Sequence, residues 1–276
     1  MTLALDRVEI EGAGSDPRRL ASALLKQLTD TSSRIPIHEI ARALDIVAIG
    51  AAPLRSIEGC LQCDALRSEG QIIVNSASSA QRQRYTVAHE LGHFLNEKHS
   101  PTTEVGFACT ADDLGLPRRS GRDLIQEQEA NTFAIEVLTP RNSLAPFLRK
   151  AADLDHALAL AERFDISREA AARRYVALHQ ERLAVVFSKE GRVRYVEKGA
   201  DFPATTMWTG DTLGHLHARD RDVGELTTLD EADPADWLKR PRGWAVFAQM
   251  LFQTNGYATT LLVAERDERV EETLNW

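Results

Sequence analysis

The sequence predicts an α+β fold in three consecutive segments, and three observations carry that prediction. Residues 1–148 alternate helical periodicity with short apolar runs, residues 149–181 hold two amphipathic helices around a tight turn, and residues 182–276 switch to strands punctuated by turn dipeptides. A chain of 276 residues is long enough for one large or two modest domains.

Taken in order, Leu20, Leu24 and Leu28 recur at helical spacing over Pro17 to Asp30, with Asp16 placed as N-cap. Ile35-Pro36-Ile37 breaks that pattern, a short helix follows over about 37–44, and Ile46 to Gly50 reads as a strand. Ile57 to Asp64 and Gln71 to Asn75 flank the turn Arg67-Ser-Glu-Gly70 as a hairpin, which leads straight into the helix carrying His89. Residues 96–121 are polar and rich in Gly, Pro and Thr, so a long loop is expected there; such loops are usually functional or mobile. From Arg122 the helical period returns with Ala130, Phe133, Ala134, Val137 and Leu138, until Pro140 stops it. On this helix Glu127 falls on the flank of the apolar face, while Glu129 sits nearer the polar side with Thr132 and Glu136.

Asp153 to His179 has the pattern of a helix-turn-helix, its second helix opened by Ser167 as N-cap. Arg163, Arg168, Arg173 and Arg174 could meet phosphates, but Asp153, Asp155, Glu162, Asp165 and Glu169 offset them, which favours a structural role over DNA contact. In the last segment Leu183 to Phe187 pairs with Val193 to Val196 around Lys189-Glu-Gly191. Val246 to Thr254 pairs with Tyr257 to Ala264 around Asn255-Gly256, a strong hairpin signal. Between these hairpins, 199–240 is polar with one short helix near Ala235–Lys239, and Trp208, His215, His217 and Trp244 are candidates to line a ligand pocket.

Composition narrows the function classes. Charged residues at 27% and apolar residues at 43% are ordinary for a globular protein, and a net charge of −8 argues against generic binding to nucleic acid or anionic membranes. The N-terminus has no basic segment followed by an apolar core, and no run is long enough to span a bilayer, so the chain reads as cytoplasmic with no membrane association. Three cysteines do not make a disulfide framework. Cys60 and Cys63 form a C-x-x-C on a strand, where residues three apart face opposite ways. They read as structural, unless a turn at Leu61-Gln62 brings them together with Cys109 as a third sulfur.

The chemistry-bearing stretch is Arg84-Tyr-Thr-Val-Ala-His89-Glu90-Leu-Gly-His93-Phe-Leu95, an H-E-x-x-H pattern. On a helix His89 and His93 lie one turn apart on one face and can reach one zinc ion, while Glu90 sits beside them, placed to take a proton from an attacking water. A catalytic zinc needs a third protein ligand, and two candidates compete. His99 completes the metzincin spacing, with Asn96 where that pattern has Gly, although no Met-turn follows within the first 150 residues. Glu127 would come from the next helix and give a His-His-Glu set, with Glu129 a more distant third choice.

Ser79 to His93, followed by Glu127-Gln-Glu-Ala-Asn131-Thr-Phe-Ala-Ile-Glu-Val-Leu-Thr-Pro140, resembles the ImmA/IrrE family of bacterial metallopeptidases over about residues 35–180, with Thr139 where a Met is common. The resemblance implies a zincin-like peptidase domain and selects Glu127 as third ligand beside His89 and His93, with zinc as the metal and manganese an alternative. It implies a cytoplasmic endopeptidase that cleaves an XRE-type, helix-turn-helix transcriptional repressor to derepress stress-response or mobile-element genes. Its longer members imply a sensor-like, GAF-like C-terminal domain. A regulatory module that binds a repressor or antitoxin without cutting it is the contrasting expectation, as is a DNA-binding regulator using residues 153–179.

Overall fold

The computed structural model describes residues 3–64, 66–101, 106–109, 121–213 and 222–267, and the chain divides into two units. The first comprises Met1–Leu144 with Arg163–Ser167, the second Ala145–Glu162 with Arg168–Trp276. Among the described residues no helix is long and apolar enough to cross a membrane.

In the first unit, α1 (Arg7–Glu11), α2 (Pro17–Lys26) and α3 (Ile37–Ala43) precede β1 (Ile46–Ala52), β2 (Gly59–Cys63) and β3 (Gly70–Asn75). The chain continues through α4 (Ala80–Leu95), β4 (Gly106–Cys109) and α5 (Arg122–Leu138), and Thr139-Pro140 separates α5 from α6 (Arg141–Leu148), of which only the residues up to Leu144 belong to this unit. Asp16 caps α2 as expected, its carboxylate accepting from the backbone N–H of Arg18 and Arg19, and Ser79 caps α4 by accepting from Arg82. The sheet runs β1-β3-β2-β4, with β1 parallel to β3 and the other pairs antiparallel. The expected β2–β3 hairpin is present. The expected continuous loop over 96–121 is not: β4 lies inside it and pairs with β2, because Phe107 buries its ring opposite Leu61.

Helix α4 packs on both the sheet and α5, with Val87, Leu91 and Phe94 fully buried. Gly92 permits that crossing, since a Cβ at this position would stand 3.0 Å from Phe133 Cδ1 and 3.3 Å from Ala130 Cα of α5. Gly92→Ala would gain about 1 kcal/mol of helix propensity against roughly 1–3 kcal/mol for overpacking. A net loss of denaturant stability is therefore expected, and a variant as stable as the parent would show that the helices can separate freely. Glu136, expected on the solvent side of α5, is instead buried because α2 packs over that part of the helix, and Arg18 lies 3.7 Å from its carboxylate.

Arg84, only 3% exposed, sits in the second turn of α4. Its guanidinium donates to the carbonyls of Ile35 (3.1 Å) and Phe164 (3.4 Å) and pairs with Asp165 at 3.4 Å. Arg34 and Gln81 also donate to Asp165, at 2.9 and 3.1 Å. A buried cation left without such a partner would be strongly destabilising, which is why Arg163–Ser167 belongs with the first unit.

The second unit contains α7 (Leu154–Phe164) up to Glu162, α8 (Arg168–Leu178), β5 (Arg182–Lys189), β6 (Arg192–Lys198), β7 (Asp230–Ala232), α9 (Pro234–Trp237), β8 (Trp244–Phe252) and β9 (Tyr257–Arg266). Its sheet is antiparallel throughout, in the order β6-β5-β9-β8-β7. Asn255 and Gly256 take φ of 58° and 73°, the left-handed pair that a tight β8–β9 turn demands. Val186, Val193, Trp237, Val246 and Leu262 form the core of one face. Arg173 is paired with Glu197 at 3.2 Å and Arg174 is buried, so both are engaged inside the fold. Of the pocket candidates, Trp208 is 65% exposed and Trp244 lies beneath the guanidinium of Arg266; His215 and His217 lie outside the described residues.

Candidate metal centre

Helical spacing on α4 brings His89 and His93 to one face, and α5 brings Glu127 against them. All three are buried, and their ligand atoms lie within 4.8 Å of one another. His89 Nε2 is 3.1 Å from His93 Nε2 and 3.1 Å from Glu127 Oε2, and His93 Nε2 is 3.5 Å from Glu127 Oε1. Bonds of 2.0–2.1 Å to a tetrahedral zinc would set donor atoms about 3.3 Å apart. The observed separations bracket that edge length, and among the described residues Glu127 Oε1 is a buried oxygen outside the hydrogen-bond network. The donor set therefore fits a zinc-sized cation.

The protonation states agree with that fit. Burial pushes the His93 imidazole down to about 3. Burial alone would push the Glu127 carboxyl up, but the His89 and His93 imidazoles that face it outweigh that and hold the group well below the usual carboxylate range. A neutral imidazole and an ionised carboxylate are the forms a metal ligates. Both shifts have the same sign on acidification, because a group with a depressed folded pKa contributes stability above its unfolded value and loses it as pH falls. The metal-free protein is thus expected to lose stability from about pH 6.5 down towards 3 through His93, with Glu127 adding to the loss below 4.5. Urea titrations of EDTA-treated protein along the acid limb check this, and a flat profile would contradict it.

Each ligand imidazole has a partner on its other nitrogen. His89 Nδ1 is 3.1 Å from Asn131 Oδ1, which also accepts from the Tyr85 hydroxyl at 2.9 Å. His93 Nδ1 is 2.9 Å from Nδ1 of His99, and His99 Nε2 is 2.9 Å from Glu129 Oε2. Phe107 stacks on the His93 ring with centroids 4.6 Å apart, so β4 forms one wall of the site. Arg67, on the β2–β3 turn, donates to the carbonyls of His93 and Phe94 at 3.0 and 3.2 Å and to those of Asn96 and His99. Its cation lies where the α4 dipole is negative.

Glu90 is fully buried beside the pair, and a Cβ at Gly59 would stand 3.1 Å from Glu90 Oε1 and 2.3 Å from Thr86 Cγ2. Strand β2 thus leaves room for the carboxylate by carrying no side chain there. His89, His93 and Glu127 lie together, and His99 stands outside that group with its Nδ1 against Nδ1 of His93. Cys60 and Cys63 are free thiols on β2 and take no part in this cluster, and the Cys109 side chain lies outside the described residues. Gly59, Phe107 and Arg67 were not singled out from the sequence. Each acts through a tertiary contact; the nearest local signal is a glycine opening a strand.

An H-E-x-x-H helix and a glutamate from a second helix, packed on a small sheet, make the arrangement of a zincin-like metallopeptidase domain. Residues 60–175 match the Peptidase M78 family model, the IrrE N-terminal-like domain. The matched stretch begins on β2 and ends in α8, so it includes both motif blocks. No curated protein matches the chain. A solved structure, a Mycobacterium tuberculosis transcriptional regulator, aligns with a TM-score of 0.56 over 93% of this chain and 80% of that chain. At 12% identity this is a likeness of fold alone.

Proposed function

We propose that the chain is a cytoplasmic, zinc-dependent endopeptidase that cuts an XRE-type, helix-turn-helix repressor once and so derepresses stress-response or mobile-element genes. The observation that carries the hydrolytic part is the buried His89, His93 and Glu127 donor set, with the fully buried Glu90 following His89 on α4. A metal held there supplies Lewis-acid chemistry, lowering the pKa of water and polarising a carbonyl. Glu90 takes the proton of the attacking water on a carboxylate oxygen as the new C–O bond forms. It then gives that proton to the leaving amine as the C–N bond breaks. His89, His93 and Glu127 contribute one negative charge and two neutral nitrogens, a donor set that also admits manganese.

The repressor as substrate rests on the family resemblance, and the antiparallel sheet over 182–276 is in this reading the sensory, GAF-like part. Direct DNA binding by residues 153–179 is the weaker reading, since Arg173 and Arg174 are already engaged within the fold. The test is incubation of the full chain with an XRE-type repressor from the same genome, with zinc or with manganese. One cut that EDTA prevents and added metal restores is expected. Tight binding at full metal occupancy without any cut would favour the non-cleaving module.

A further inference from the structure

The outer contacts of the two ligand histidines are not equivalent. His89 Nδ1 faces an amide oxygen that can only accept, which puts the proton on Nδ1 and leaves Nε2 bare for a metal. His93 Nδ1 faces another imidazole nitrogen, His99 Nδ1 at 2.9 Å, and that contact alone permits either direction of donation. If His99 donated, neutral His93 would carry its proton on Nε2 and could not ligate.

Glu129 breaks the tie. Its Oε2 is 2.9 Å from His99 Nε2, and an ionised carboxylate only accepts, so the proton of neutral His99 belongs on Nε2 and its Nδ1 is bare. Asn96 Nδ2 is also 2.9 Å from His99 Nε2, but it has other acceptors in Ser15 O at 3.0 Å and Glu129 Oε2 at 3.3 Å. A bare Nε2 would instead turn its lone pair on the carboxylate at hydrogen-bond distance, so the charge-assisted bond decides. His99 is 3% exposed, and its carbonyl is held by Arg67, which fixes the segment carrying the ring.

We propose that His99 and Glu129 are positioning residues for the metal site: Glu129 fixes the tautomer of His99, His99 Nδ1 accepts the Nδ1–H of His93, and His93 Nε2 is thereby left free to ligate. The inference rests on the metal-site reading above. It also gives a role to the histidine whose spacing made it a rival ligand. Partners of this kind typically change metal affinity by about 10–100-fold.

The experiment titrates zinc into the metal-free full chain against a chromophoric chelator, for the parent, His99→Phe, His99→Gln and Glu129→Ala. His99→Phe keeps a ring but no acceptor and is expected to weaken zinc binding by about 10–100-fold. His99→Gln offers an amide oxygen to the His93 Nδ1–H and should recover most of that loss. It should also retain the slowly exchanging His93 Nδ1–H proton resonance, which His99→Phe loses. Glu129→Ala, at a half-exposed side chain, should lose less than His99→Phe and fold like the parent, which keeps the test informative if His99→Phe does not fold. Equal affinity in the parent, His99→Phe and Glu129→Ala would overturn the inference while leaving the metal site standing. Complete loss of zinc in His99→Gln would make His99 a ligand and overturn it too. A parent chain that bound no zinc would overturn the metal reading and this inference together.

Discussion

Replacing Glu90 by glutamine is expected to slow peptide hydrolysis by about 10²–10⁴-fold, the usual contribution of a positioned general base, when both proteins are saturated with metal. Glutamine matches the shape of glutamate, so the buried space beside Gly59 and Thr86 remains filled. What changes is basicity: an amide oxygen cannot take the proton of the attacking water. Removing a negative charge from beside the site would also weaken cation binding, so the comparison must be made at saturating zinc, with metal content measured on the same sample. Initial rates on the cleaved repressor provide the readout. A Glu90→Gln variant that turned over at the parental rate would mean that another group accepts the proton, and the site would need a different base.

That prediction uses residues that were legible in the sequence because the information lies within one helix. The H-E-x-x-H spacing fixes which side chains share a face of α4, and Pro140 marks where α5 has ended. Asn255-Gly256 was legible for the same reason, since its backbone conformation follows from two adjacent residues. What was not legible depended on partners far along the chain. Four residues, Gly106–Cys109, are too short and weakly patterned to announce a strand, and only pairing with β2 makes them one. Glu136 looked solvent-facing on the helical wheel because the wheel cannot know that α2 packs over that face.

His99 is the instructive case. Its spacing from His93 fitted a third ligand, and the structure does bring its ring to the site, but with its Nδ1 against His93 Nδ1 instead of among the ligand atoms. Separation along the chain says that two rings can meet and not which nitrogens face each other. That depends on where the chain turns after α4, and there Arg67 gathers the carbonyls of Asn96 and His99.

The distinction between Glu127 and His99 has a quantitative form. At zinc a thousandfold above its Kd, binding stabilises the parent by about 4.1 kcal/mol, which appears as a rise in Tm. Glu127→Ala removes one of three protein ligands and is expected to abolish that rise. A positioning residue behaves differently: a 10–100-fold loss of affinity takes away only about 1.4–2.7 kcal/mol at 1.36 kcal/mol per decade. His99→Gln and Glu129→Ala should therefore keep a clear zinc-dependent shift under the same conditions. Differential scanning calorimetry with and without zinc separates the two patterns, with the metal-free melts serving to correct for any change in the fold itself. The reverse pattern, in which Glu127→Ala keeps the full rise and His99→Gln has none, would move the third ligand from α5 to the segment after α4. The metzincin-type spacing would then be the correct description of the site.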